Sequence, residues 1–208
     1  GTTGYPSCVT FHEDRLFFAG TLNYPQRIDG SKSADYENME PSSAAAGVVA
    51  SDNAVSFSLT SNEVNAIRWI ASDEKGLLAG SMGGEWVIRP SSQSEALSPT
   101  NVNAKRSTSY GSDNLQPVQV GKATMFIQRA GRKLREMMYF YDVEGFRAPD
   151  LTQLSENVTE TGIIEMSYQK EPQTLVWCVR TDGTLAVLNY EREVDSFKVG
   201  WARVVVGG

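Results

Sequence analysis

The residues able to do acid–base, nucleophilic or metal chemistry are few in this sequence and badly spaced for it. His12 is the single histidine, and Cys8 and Cys178 are the two cysteines, of 208 residues. A metal site needing two or three imidazoles, or a thiolate cluster, therefore lacks its ligands. His12 stands in His12-Glu13-Asp14, where a predicted exposed hairpin tip explains it without catalysis. Cys8 lies in CVTF and Cys178 in LVWCV, apolar runs that predict buried free thiols over a disulfide. The glycine-rich run 80–84, GSMGG, has its first glycine one residue before the serine instead of two, so the nucleophile-elbow pattern fails. DGSKS at 29–33 lacks the upstream glycine of a phosphate-binding loop. Glu13, Asp14, Asp73, Glu74 and Asp182 all fall in predicted turns, where solvated charge is the ordinary reading. A glycosidase pair across a cleft of about 5 to 10 Å is the chemical alternative. Asn157-Val158-Thr159 matches a glycosylation acceptor, but nothing resembling a secretion signal accompanies it.

One charge pattern does stand out. RAGRKLR at 129–135 sets Arg129, Arg132, Lys133 and Arg135 around a predicted hairpin, followed by MMYFY with Tyr139 and Tyr141. Arg and Tyr are the residue types that anchor protein interfaces, and with them stack on nucleic acid. These six residues are the candidate contact surface for a partner protein. The plainer reading is a solvated strand edge, since edge cations discourage strand-to-strand aggregation.

What would position them is a succession of short strands. Residues 66–90, AIRWIASDEKGLLAGSMGGEWVIRP, hold three runs of strand composition separated by two turns, each run too short for a helix. Residues 55–59, VSFSL, alternate with period two. Similar series occur over 8–31, 118–141 and 163–205. Asp182-Gly183 is the strongest hairpin signal, read as a type I′ turn with both residues at positive φ. Aligned on Gly20, Gly80, Gly131 and Gly183, the series recur roughly every fifty residues, the period of propeller blades of four strands. A sandwich would explain the strands but not the period. Asp150 with Gln153 has N-cap spacing, predicting one short helical turn near 151–155. The small and polar segments 39–54 and 91–99 read as loops, the first with a helical turn at its alanines. Trp69, Trp86, Trp177 and Trp201 each lie in a predicted strand and are assigned to the core between blades. Arg68, inside an apolar strand, is expected either at a blade edge or paired with Glu85.

The fold class expected is therefore all-β and β-propeller-like. It has about four blade-like antiparallel sheets of three to four strands, at about 5–60, 64–110, 116–150 and 162–206. These form a single domain spanning 1–208, read as a fragment of a longer protein. A net charge of −6 and 40% hydrophobic content suit a packed domain without a sequence-independent grip on nucleic acid or acidic lipid. No window approaches eighteen consecutive apolar residues, so a soluble, unexported chain is expected.

Taken in order, GYPSCVTFHEDRLFFAGT, PQRIDGSKSADYENM, NAIRWI, GGEWVI, SPTNV, RKLREMMY, APDLTQLSENV, YQKEPQTLVWCVRTDGTLAVLNYERE and GWARV closely resemble segments of phage and prophage proteins. These are relatives of the nozzle, or tail tubular protein B, of short-tailed phages, and the resemblance spans about residues 4–205. It implies a non-enzymatic structural component of the virion, made in the host cytoplasm, with no cofactor and no membrane partner. Copies would form a ring below the portal and adaptor, bind neighbouring tail proteins, and pass DNA outward without specific binding. No family catalytic residues exist to carry over. Two other classes stand beside this one: a receptor- or glycan-binding propeller domain, and a cell-wall hydrolase.

Overall fold

The computed structural model describes residues 4–43, 47–61, 65–92, 95–192 and 197–205. The predicted helical turn at the alanines falls on residues outside these. All regular structure among the described residues is antiparallel β, in four sheets of four strands. The propeller-like all-β expectation holds in the number, size and sense of these sheets. The chain divides into two compact units, residues 1–112 and 113–208.

In the first unit, β1 (Cys8–His12), β2 (Arg15–Ala19), β3 (Arg27–Gly30) and β4 (Val55–Ser58) form sheet 1 in sequence order. β5 (Ile67–Asp73), β6 (Gly76–Ser81), β7 (Gly84–Pro90) and β8 (Val102–Thr108) form sheet 2. β2 alternates buried and half-buried residues, so sheet 1 buries one face. Every residue of β6 is buried, so sheet 2 buries both. Phe17, Ala19 and Ile28 of sheet 1 pack on Ile70, Leu77, Ala79, Trp86 and Ile88 of sheet 2 in one apolar cluster.

Gly80 is not in a turn, as its alignment with the other glycines requires. It lies inside β6 opposite Trp69, and a Cβ there would collide with the indole. The turn of that hairpin falls at 82–83 instead, and the repeat is set by the strands alone. Most of the described residues in the long segment between β3 and β4 are exposed. Arg15, 3% exposed, fastens it by donating from Nη1 to Ser31 O and Asn53 O at 2.6 and 2.7 Å and from Nη2 to Ser51 O at 2.7 Å. A guanidinium has enough donors to satisfy several carbonyls at once.

In the second unit, β9 (Val118–Val120), β10 (Ala123–Ile127), β11 (Leu134–Phe140) and β12 (Gly145–Arg147) form sheet 3. β13 (Ile163–Gln169), β14 (Leu175–Arg180), β15 (Leu185–Arg192) and β16 (Phe197–Val204) form sheet 4. β10 is buried throughout, while β14 alternates. Met125, Ile127 and Leu134 pack on Val176, Cys178, Ala186 and Leu188. Both cysteines are buried free thiols, as expected; burial raises Cys8 to about 11 and Cys178 to about 12.

Two turns differ from their sequence readings. Gly183 takes φ +80° but Asp182 does not have a positive φ, and Gly183 N donates to Arg180 O. The turn is thus not type I′, because a Thr181–Asp182 pair in ordinary geometry precedes a single left-handed glycine. At 151–155 there is a hydrogen-bonded turn, Ser155 N to Thr152 O at 2.9 Å, and no longer helix. Asp150 does cap the backbone, but its Oδ1 accepts from Thr152 N at 2.9 Å instead of reaching Gln153.

Candidate interaction surface

The basic hairpin is built by β10 and β11, whose buried residues fix its register, Ile127 opposite Leu134. Between them Gln128 N donates to Lys133 O and Gly131 N to Gln128 O, with Gly131 at φ +75°. The loop places the four cations in three different environments. Arg129 and Arg132 are exposed. Lys133 Nζ donates to Asp150 Oδ2 at 2.8 Å and Glu156 Oε1 at 3.2 Å, contacts that raise its pKa. For Asp150, burial alone would raise the pKa; the Lys133 ammonium and the Thr152 donors outweigh it and hold the carboxylate below its ordinary range.

Arg135 is buried, 8% exposed. Its Nε donates to Gln128 Oε1 at 2.8 Å and its Nη1 to Ala148 O at 2.6 Å. It fastens the segment after β12 as Arg15 fastens the segment after β3. β11 has buried residues on both faces, so strand alternation carried no sign that Arg135 points inward. The signal available was only its position one residue inside the strand.

Tyr139 and Tyr141 belong to a separate cluster. Tyr139 is half-buried and meets Tyr141 and Phe146 edge-to-face, with centroids at 5.2 and 5.5 Å. Tyr141 is 72% exposed. Lys133 and Tyr139 stand at opposite ends of β11, about 20 Å apart at the usual rise of an extended strand. The six candidate residues therefore split into a cationic tip, Arg129 and Arg132, the ion-paired Lys133 beside it, and an aromatic patch of Tyr139 and Tyr141, with Arg135 in the interior.

Sequence reasoning missed a second feature, in the first unit. His12 is not at an exposed tip: it ends β1, is 6% exposed, and shares a hydrogen bond between Nδ1 and Ser72 Oγ at 2.9 Å. Burial holds its pKa below the ordinary value, against the opposing charge of Glu13. Asp73 is also buried, which raises its pKa, although Lys75 N donates to it. These residues, with Glu13, Arg89 and Glu95, line a cleft of about 400 Å³. Glu13, in a tight turn at φ +49°, accepts from Leu97 N at 2.9 Å. Among the described residues no group of three or more His, Cys, Asp and Glu side chains is arranged to hold a metal ion. The signal for this cleft was the pair of hairpins HEDR and SDEKG, whose tips the stacking of sheets 1 and 2 brings together.

Of the two arrangements expected for Arg68, the structure has the blade-edge cation: it is half-exposed on β5, an edge strand of sheet 2. Its Nη2 contacts Met82 Sδ at 3.1 Å, while the wholly buried Glu85 accepts from Thr108 Oγ1 and from Ser112 Oγ.

No curated protein sequence matches the chain. Among solved structures it is similar to human WBSCR16 at a TM-score of 0.52 and 12% identity, covering 99% of this chain and 56% of that one. The chain thus spans little more than half of that relative, and identity this low shows a shared fold alone. The sequence also matches the family described as bacteriophage nozzle protein over residues 7–188, a range that takes in sheets 1 to 3 whole and most of sheet 4. The chain belongs to the bacteriophage nozzle protein family, and with it to the structural proteins of the phage tail.

Proposed function

We propose that this chain is a non-enzymatic part of the tail conduit: it forms a ring with other copies, holds neighbouring tail proteins including those at the portal and adaptor, and lets DNA leave the virion through it. The family match over 7–188 carries this reading. The charge supports it. Each phosphate neutralised by Lys or Arg adds salt-dependent affinity, so a conduit that must release DNA is better served by a chain of net charge −6. DNA passes without specific binding, no cofactor takes part, and the protein is made in the host cytoplasm before joining the virion.

Within that assembly the cationic tip, Arg129 and Arg132, meets an acidic surface of a neighbouring subunit or tail protein. Lys133 supports the tip through Asp150 and Glu156, and Tyr139 and Tyr141 form a second contact further along β11. Arg135 acts from the interior by holding the hairpin in place. The test is Arg129→Glu together with Arg132→Glu in the full-length protein. Both side chains are exposed, so folding should be kept while infectious particles fall at least about tenfold, as loss of an interface anchor does. Unchanged particle yield and infectivity would remove the cationic tip from the interface.

A further inference from the structure

Two adjoining cavities of the first unit are acidic. The cleft of about 400 Å³ at the tips of the β1–β2 and β5–β6 hairpins sets Glu13, Asp73, Glu74 and Glu95 against two cations, Lys75 and Arg89. A second cavity, of about 510 Å³, shares Glu13 and Glu95 with it, adds Asp14 and Asp52, and has Arg15 as its one cation among the described residues. Arg15 spends its Nη donors on the carbonyls of Ser31, Ser51 and Asn53 instead of on these carboxylates. The two acids common to both cavities are held by neutral donors: Glu13 accepts from Leu97 N at 2.9 Å and Glu95 from Asn101 Nδ2 at 3.0 Å. Among the described residues neither is in an ion pair, so their charge is fixed in place and unspent. The first cavity also has the buried His12, whose Nδ1 is taken by Ser72, while its Nε2 has no hydrogen-bond partner among the described residues.

Both cavities want a cation, and no group of three or more of these side chains is arranged for a metal ion. A broader cation with several donors fits them better. The chain itself carries two guanidiniums in want of an anion. Arg129 and Arg132 are exposed at the tip of the β10–β11 hairpin, and among the described residues neither is in an ion pair, whereas Lys133 beside them has Asp150 and Glu156. We infer that tip and cleft belong together: the Arg129–Arg132 tip of one copy enters the acidic double cleft of a second copy and meets the carboxylates of Glu13 and Glu95. Arginine suits this contact, because a planar guanidinium can give a carboxylate two parallel donors. Carboxylates already held in place lose little freedom when the cation arrives. Tip and cleft are different patches, so the contact is head-to-tail and repeats from copy to copy. The inference rests on the role proposed above for the cationic tip and names its partner.

Reversing the charge on each side tests the contact. Arg129→Glu with Arg132→Glu reverses the tip, and Asp52→Lys with Glu95→Lys reverses the cleft; all four side chains are exposed, and circular dichroism checks that each variant is folded. In sedimentation equilibrium at low salt the wild-type chain should exceed monomer mass as its concentration rises, and about 0.3 M NaCl should weaken the association. Each double variant should raise the dissociation constant at least about tenfold. The chain carrying all four substitutions, in which the two signs are exchanged, should regain association. A wild type monomeric at about 100 µM in low salt, double variants that associate like the wild type, or an exchanged chain no better than either double variant each overturns the contact. Should the cleft reversal fail to fold, Asp52→Asn with Glu95→Gln takes its place: weaker association supports the contact and unchanged association overturns it. If the cleft variant associates like the wild type while the tip reversal still lowers infectious particles, the cleft is not the partner and the tip keeps its role against another tail protein. If the tip reversal leaves particles unchanged as well, both readings fall.

Discussion

The two units join their sheets by different means. In the first, Phe17 and Ile28 meet Ile70, Leu77 and Ile88 in an interior of hydrocarbon, and the polar contact between the sheets is the neutral His12–Ser72 hydrogen bond at one end. In the second, an acid is set into the interface. Glu136 on β11, 0% exposed, accepts from Tyr190 Oη at 2.7 Å and pairs with Arg192 Nη2 at 2.8 Å, while the Arg192 guanidinium lies over Phe197 at 4.4 Å. Burial, then the neighbouring Glu136 carboxylate, push the Tyr190 hydroxyl well above its ordinary pKa, so it remains a donor at any physiological pH. A hydrocarbon join is non-directional and tolerates repacking. A buried ion pair adds little net stability, but removing one partner strands the other. The second join is therefore the more specific of the two.

Substitutions that empty each join test this difference. Phe17→Ala should give the largest effect, about 4 kcal/mol, because it removes a fully buried aromatic ring and leaves a cavity; Phe17→Leu should recover more than half of it. Glu136→Ala should cost about 3 kcal/mol, at the low end for a broken buried pair because Arg192 keeps 31% of its side chain in solvent. The discriminating result is the double variant. Replacing Glu136 and Arg192 together by Leu and Met should be less damaging than Glu136→Ala alone. Urea unfolding of the wild type and the four variants measures this, and a double variant worse than the single would show that the network adds stability beyond its own desolvation cost.

The same contrast between held and unheld charge runs through the basic hairpin. Arg135→Ala should destabilise by about 2 kcal/mol, since it orphans a buried carbonyl and a half-buried amide side chain, whereas Arg132→Ala at the exposed tip should stay within about 0.5 kcal/mol. Equal effects on the unfolding midpoint would mean that the hydrogen bonds to Ala148 and Gln128 contribute nothing net.

Those two arginines also show how far the sequence could be read. Strand positions, the recurrence near fifty residues and the four sheets were legible because short apolar runs between glycine-rich turns leave few other arrangements. Hairpin tips were legible only where turn chemistry is local. Gly80 looked like a turn glycine, yet it is fixed by a side chain on another strand, Trp69, which local sequence does not encode. His12 looked exposed because HED resembles a tip; the stacking of sheet 2 against β1 buries it. Arg135 and Arg132 have the same type and nearly the same neighbours in sequence, and only the return of residues 148–151 alongside β11 separates an interior staple from a surface cation. Strands and their hairpins could be read, and contacts made across two sheets or by a returning loop could not.

The smallest expected effect lies in that cross-sheet site, and it separates the two joins by pH. His12 has its folded pKa below the ordinary 6.5 because burial disfavours the cation. On acidification the unfolded chain takes up a proton there first, so this contribution to stability is complete above about pH 7 and declines as pH falls below the ordinary histidine pKa. Asp73, raised by burial, works in the opposite sense at lower pH, since its folded form binds the proton first. Glu13, Glu74, Lys75, Arg89 and Glu95 face the same cleft, so the informative quantity is a difference. His12→Asn keeps a hydrogen-bonding partner for Ser72 but cannot titrate. Stability of the wild type relative to His12→Asn should fall between about pH 7 and pH 5. Glu136→Gln should leave that difference unchanged, because its carboxylate sits in the other unit's join. A difference that is flat with pH would mean that His12 is solvated as its sequence context suggested, and the join of the first unit would lose one of its titrating members.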